Sequence, residues 1–378
     1  MSASNTAGDQ PNQDSGAPRE HVGVQLENSW HAFRERHSRS RGHLPTVTPF
    51  RGYGVSGRAD ASSFATVPSD RATDDAGSHG WVRILARVVL ARPGAFFNGL
   101  RHSRVVADGV RGWRNFISPP IPYAEVEARI GGQTFYLDAD RGGVLDVRIA
   151  VDLEPGWHEV VLTSEGSEPA TVAVQVIDEE GAFGIICDVD DTVVVTALPR
   201  PLLAAWNSFV LSEHARVATP GMAVMMERLV EKWPGAPVLY LSTGAWNAAA
   251  TLTRFLSRNL FPKGTLLLTD WGPTENRWFR SGMQHKVDEL RRLAQEFPAV
   301  KWVLIGDDGQ HDPEIYAEFA KRHPDQVRAI VIRQLTPSEA VLAGGRSDHT
   351  VNATPGVPWV YGPDGQTICT QLRELGVI

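Results

Sequence analysis

Cysteine is scarce in this chain. Cys187 and Cys369 are the only two in 378 residues, too few for a disulfide framework or a cysteine-based zinc site. Cys187 lies inside an apolar run and reads as a small core residue. Positive charge is also short: 37 Lys and Arg face 44 Asp and Glu, a net charge of −7. That balance argues against a general nucleic-acid binder, which shows a basic domain or stripe. No run of apolar residues is long enough to span a bilayer, and the opening "MSASNTAGDQPNQDSGAPREH" lacks the basic and apolar regions of a signal peptide. The expectation is a cytoplasmic protein with no transmembrane segment, free to be peripheral at a membrane. Nothing in the sequence sets its oligomeric state.

What is present fills about two domains by length, and 42% hydrophobic residues suffice for a core in each. Residues 1–75 are rich in Ser, Gly, Asp and Arg without periodicity and read as a largely disordered tail. The aromatic and glycine-bearing "TPFRGYGVSGRA" at 48–59 is the exception, expected to dock on the next domain. Residues 76–182 carry short alternating runs, among them "WVRILARVVL", "AEVEARIGGQTFYLDA" and "GWHEVVLTS". Their period of two predicts a small antiparallel β-sandwich. A segment at 92–122 mixing Arg101, Arg104, Arg111 and Arg114 with Phe96, Phe97, Trp113 and Phe116 interrupts the rhythm. It reads as a surface helix covering the sheets, or as a helix of the kind that lies at a membrane interface.

From residue 183 to 378 strands alternate with helices, which predicts a parallel sheet with helices on both faces. "PGMAVMMERLVEKW" spaces Met222, Met225, Met226, Leu229, Val230 and Trp233 as a helix, with Thr219 as candidate N-cap. In such folds ligands bind beyond the carboxyl ends of the strands. The strand in "GIICDVDDTVVVT" ends in Asp188, Asp190 and Thr192, "VLYLSTG" ends in Ser242 and Thr243, and "WVLIGDDGQHD" ends in Asp307, Asp308 and Asp312; Lys286 opens a helix between the last two.

Ionised carboxylates are costly to bury unless paired or bound to a metal. A polar turn would explain Asp188 to Asp191 alone, but not the carboxylates at a second strand end. A hard divalent ion would neutralise them, and Mg²⁺ characteristically combines one or two carboxylates with waters and phosphate oxygens. One aspartate is then placed to attack phosphorus, a second two residues on to exchange protons, and Ser242 and Lys286 to hold phosphoryl oxygens.

"DVDDT", Ser242, Lys286 and "GDDGQHD" follow the order of the four motifs of haloacid-dehalogenase-like phosphatases. More closely, "GIICDVDDTVVVT", "PGM", "LYLSTGAWN", "FPKGTLLLTDWG", "HK" and "VLIGDDGQHDPEIYAE" resemble the DUF2183 family of actin patch protein 1-like phosphatidate phosphatases, over about residues 184–335. The resemblance implies a haloacid-dehalogenase-like catalytic domain in which Asp188 is the nucleophile that becomes an aspartyl-phosphate and Asp190 the general acid and base. It implies Mg²⁺ held by Asp188, the Asp190 carbonyl and Asp307, with Asp308 or Asp312 in support, and a phosphoryl group bound by Ser242 and Lys286. Thr192 would brace the loop, a role it shares with simple turn capping. A lysine in a helix's first turn ordinarily faces solvent, and the family pattern is what assigns Lys286 a role.

One departure concerns the substrate. Where the family commonly has Ser-x-Ser-Pro-Trp, this chain has Ser242, Thr243, Gly244, Ala245 and Trp246. The intervals between motifs leave no room for a large cap domain, and an open site suits a phosphate on a bulky body. The reading is therefore a Mg²⁺-dependent hydrolase of phosphatidate at a membrane surface, giving diacylglycerol and phosphate. The rival substrates are a soluble phosphomonoester or a phosphorylated macromolecule. A non-catalytic interaction module is the rival from another class.

Overall fold

The computed structural model describes residues 40, 42–57, 80–91, 118–195, 217–269, 278–309, 311–343, 345 and 356–378. The tail before residue 40 and most of the basic aromatic segment at 92–122 lie outside the described residues.

The alternating runs of the first half form seven strands: β1 (Leu44–Val55), β2 (Trp81–Ala91), β3 (Glu125–Ile130), β4 (Gln133–Asp138), β5 (Val144–Ala150), β6 (Gly156–Ser164) and β7 (Ala170–Ile177). They join in one sheet of order β4-β3-β6-β7-β1-β2-β5, not in the two stacked sheets of the expected sandwich. Period-two patterning fixes which face a residue occupies but not which strand it pairs with. All neighbours are antiparallel except β1 and β7, which run parallel. Of the segment expected only to dock, 48–59, residues 48–55 enter the sheet as the end of β1, and 58–59 lie outside the described residues.

β2 is buried nearly throughout because both of its faces are covered. Val82, Ile84, Ala86 and Val88 join a core within the sheet's own concavity. Trp81 and Leu85 point the other way, into a larger core shared with the second half of the chain.

That second half begins with β8 (Phe183–Asp188), β9 (Val194–Val195) and β10 (Val217–Ala218). Next come α1 (Met222–Lys232), β11 (Val238–Ala245), α2 (Ala249–Arg258), β12 (Thr265–Thr269) and α3 (Trp278–Glu296). β13 (Lys301–Asp307), α4 (Asp312–Arg322), β14 (Val327–Arg333), α5 (Pro337–Ala343), β15 (Trp359–Gly362) and α6 (Gly365–Glu374) complete it. Six strands form a sheet of order β12-β11-β8-β13-β14-β15, every adjacent pair parallel, as the βα rhythm predicts. Met222, Met225, Met226 and Leu229 of α1 are core residues, as their spacing requires. The helix starts two residues later than expected, with Gly221 rather than Thr219 in the capping position.

The two sheets are joined across a mixed aromatic and ionic contact. Tyr53 OH donates to Glu296 Oε2 at 2.7 Å, and Arg83 pairs with the same carboxylate. Phe297 lies between Tyr53, Trp81 and Trp302, with ring centroids 5.5–5.6 Å apart. Arg292 of α3 reaches Asp146 of β5 at 2.8 Å.

Candidate active site

Strand order places the site. The chain leaves β8 toward β11 on one side and returns to β13 on the other, so β8 and β13 flank the point where the order reverses. A crevice opens beyond the carboxyl ends there. Asp188 pairs with Leu241, and Cys187 with Ile305. Asp188, Ser242 and Asp307 therefore emerge at the same rim.

The structure brings Asp188, Asp307 and Asp312 together: one oxygen from each lies within 4.8 Å of the others. All three are at most 1% exposed. Gly306 permits this, because a Cβ there would stand 2.5 Å from Asp312 Oδ2 and 2.8 Å from Tyr316. Asp312 Oδ2 accepts from the Asp307 amide at 3.4 Å, and Asp307 Oδ1 from the Gly309 amide at 2.7 Å.

Lys286 enters this cluster from α3 instead of facing solvent. Its Nζ lies 2.6 Å from Asp188 Oδ1 and 2.6 Å from Asp312 Oδ1. Burial alone would pull its pKa down, yet Asp188, Asp312 and Asp307 outweigh burial and raise it. Burial pushes the Asp188 carboxyl well above its ordinary range, with Asp312, Asp190 and Asp307 adding and Lys286 opposing. Asp307 is raised by burial and then by Asp312. Asp188 Oδ2 is buried and makes no hydrogen bond.

This donor set fits a hard cation. Three buried carboxylates share one lysine, every candidate ligand atom is oxygen, and a carboxylate oxygen stands without a donor at the strand end. Asp308 does not join the cluster. Its Oδ1 accepts from the Leu335 amide at 2.8 Å, which turns that side chain toward the chain leaving β14.

Asp190, two residues beyond Asp188, accepts from Ser242 Oγ at 3.1 Å. Ser242 in turn accepts from the Gly244 amide at 3.0 Å. Thr192 is fully buried, and its hydroxyl faces Asp307 Oδ2 at 3.5 Å. Beyond β11, Trp246 stacks on Phe50 of β1 with centroids 4.9 Å apart, so the stretch that departs from the family pattern ends against the first sheet.

The sequence reading missed Arg333. This last residue of β14 is 3% exposed and donates to the Asp191 carbonyl at 2.6 Å. An arginine closing a strand looks like an ordinary surface residue in sequence, and no local signal marks it as buried.

A parallel α/β sheet with a carboxylate-lined rim defines the class of this part of the chain. Residues 183–334 match the family model described as phosphatidate phosphatase APP1, catalytic domain. The chain is 24% identical over 249 residues to the phosphatidate phosphatase APP1 of Saccharomyces cerevisiae, a stretch covering 62% of this chain and 41% of that protein. It is 26% identical over 183 residues to an uncharacterized protein of Schizosaccharomyces pombe, covering 47% of this chain and 30% of that one. The chain thus spans less than half the length of either relative. Through residues 183–334 it is similar to the APP1-like phosphatidate phosphatases. Among solved structures, a carbohydrate acetylesterase from Xanthomonas citri aligns over 67% of this chain and 69% of its own at 13% identity, with a TM-score of 0.27. That likeness is too slight to bear on fold or function.

Proposed function

We propose that this protein is a Mg²⁺-dependent phosphatase of the haloacid-dehalogenase-like type that converts phosphatidate to diacylglycerol and phosphate. The observation that carries the reading is Asp188: a carboxylate at the carboxyl end of β8, paired on one oxygen with Lys286 and without a hydrogen bond on the other. The family of residues 183–334 supplies the substrate class.

In this mechanism an Asp188 oxygen attacks phosphorus, the bond from phosphorus to the glycerol oxygen breaks, and Asp190 gives its proton to the departing alkoxide. Asp190 then takes a proton from water, whose oxygen attacks the phosphorus of the aspartyl-phosphate and frees phosphate and the Asp188 carboxylate. The Ser242 hydroxyl, which donates to Asp190 Oδ2, is the group that orients this acid and base. Lys286 supplies a donor for the phosphoryl oxygens, Ser242 does so once its hydroxyl turns from Asp190 to the substrate, and Thr192 braces the turn against Asp307. Asp188, Asp307 and the Asp190 carbonyl would hold Mg²⁺, with Asp312 in support. Bound there, the ion supplies positive charge to the phosphoryl oxygens.

A lipid substrate places the enzyme at a membrane surface without crossing it. Among the described residues no helix is long and apolar enough to cross a membrane. The test is phosphate release from phosphatidate in mixed micelles, run beside a soluble phosphomonoester, with and without Mg²⁺. Metal-dependent release from the lipid in preference to the soluble ester supports the reading. Release only from the soluble ester removes the lipid assignment.

A further inference from the structure

We infer that Arg333 is a positioning residue that clamps the two carboxylate-bearing loops in register. The inference rests on the phosphatase reading for its kinetic consequence, but the clamp itself is a matter of geometry.

Asp191 holds the turn beyond β8 in a left-handed conformation, φ 57°. That region is uncommon for a residue with a side chain, although aspartate tolerates it better than most, and it persists when the surroundings fix it. Within the turn the Asp191 amide donates to the Val194 carbonyl at 2.8 Å, and the Val193 and Val194 amides both donate to the Val189 carbonyl at 3.0 Å. Arg333 Nη1 adds a charged donor to the Asp191 carbonyl at 2.6 Å, delivered from a buried side chain. A charge-assisted bond to a carbonyl is shorter and stronger than a neutral one, so it restrains the peptide group that follows Asp191, one residue beyond Asp190.

The same arginine is tied to the second loop. Its carbonyl accepts from the Asp308 amide at 3.0 Å, while Asp308 Oδ1 accepts from the Leu335 amide two residues beyond Arg333. Its other terminal nitrogen donates to Glu339 Oε1 at 2.8 Å, and Glu339 Oε2 accepts from the Thr336 amide at 2.8 Å. Glu339 therefore fixes the guanidinium from the side away from the turn. The end of β14 thus meets both loops: its backbone holds Asp308 in the loop that carries Asp307 and Asp312, and the Arg333 guanidinium holds the turn after Asp188 and Asp190 against that fixed frame. The planar fork of a buried arginine suits this, because lysine has one nitrogen and cannot reach Asp191 and Glu339 with separate donors in fixed geometry.

The experiment compares Arg333→Met, Arg333→Lys and Glu339→Gln with the wild type, each also in an Asp191→Gly background, in the full chain. Glycine adopts a positive φ without strain, so it relieves the turn of the need for a clamp. The expected result for Arg333→Met is a kcat at least tenfold lower with KM within twofold, and amide hydrogen exchange accelerated at residues 189–194. Arg333→Lys restores little of either. In the Asp191→Gly background the kcat loss shrinks to less than threefold. If Arg333→Met does not fold, Glu339→Gln carries the same test through the outer anchor, with a smaller loss of the same pattern. Unchanged exchange at 189–194 in a folded variant, or a kcat loss as large in the Asp191→Gly background as outside it, overturns the clamp. Absence of phosphatase activity from the wild type would sink the mechanism above while leaving the exchange measurement to decide the clamp.

Discussion

Lys286 and Asp188 form a buried ion pair at 2.6 Å, and the lysine is the only cation in contact with a cluster of three carboxylates among the described residues. Its charge is held by Asp188 at the end of β8 and Asp312 at the start of α4, so it ties those two elements together as well as balancing the site. Removing one partner of such a pair leaves uncompensated buried charge.

Lys286→Met is therefore expected to lose at least a hundredfold in phosphatase activity and about 3–5 kcal/mol in stability with chelator present. Added Mg²⁺ should raise its melting temperature by more than it raises the wild type's, because the ion then replaces the lost positive charge. Thermal melts with EDTA and with Mg²⁺ check this. Equal Mg²⁺ shifts in the two proteins would show that the ion does not enter the carboxylate cluster.

Asp312 and Asp308 should separate cleanly. Asp312→Ala removes a member of the cluster, so the Mg²⁺-induced melting shift should largely vanish. Asp308→Ala removes an acceptor of the buried Leu335 amide, a loss of about 1–3 kcal/mol. Its Mg²⁺ shift should remain. The reverse pattern would put Asp308, not Asp312, beside the metal.

The contact between the sheets is set by Glu296. Tyr53→Phe deletes a fully buried hydrogen bond to that carboxylate and keeps the ring packed near Phe297. The expected loss is about 1.5–3 kcal/mol in urea unfolding, the range for a hydrogen bond to a charged group. A change within experimental error would mean that Arg83 alone satisfies Glu296.

Glu289 supplies a pH signature. Burial, followed by Asp146 and Glu296, raises its pKa from 4.5 to about 7 against the pull of Arg292 and Arg83. The folded state thus binds this proton more tightly than the unfolded chain does. The resulting stability is fully present below pH 4.5 and is lost as pH rises through about 7. Glu289→Gln should therefore melt higher than the wild type at pH 8, and the gain should fade by pH 4.5. A constant difference across that range would assign the effect to packing.

Much of the site was legible because a parallel sheet delivers its strand ends to one rim, where Asp188, Ser242 and Asp307 stand, with Asp312 opening α4 just beyond. Lys286 was legible only through its family pattern: it was expected to open its helix, but α3 begins at Trp278 and carries the lysine mid-helix, where sequence alone does not say which way it points. Arg333 was not legible at all: its burial depends on the Asp191 turn 142 positions earlier. The same holds for the first sheet. Each alternating run became a strand, but the pairing was hidden because β1 meets β7 through a parallel register more than a hundred residues distant. Gly54 is one reason the docking segment was not expected to form a strand. A Cβ there would stand 2.1 Å from the Trp81 carbonyl oxygen, so close strand approach demands the residue that most weakens a strand signal. β15, with four residues, and α6 beyond it were not foreseen, since so short a run carries almost no periodicity.

The most direct test of the account is to trap the covalent intermediate. Protein turning over phosphatidate with Mg²⁺ is quenched with borohydride, which reduces an aspartyl-phosphate to homoserine, and the peptide spanning residues 184–196 is read by mass spectrometry. The account predicts homoserine at position 188 alone, absent without substrate, and no phosphate release from Asp188→Asn. Phosphate release with residue 188 unmodified, or undiminished release from Asp188→Asn, would contradict it.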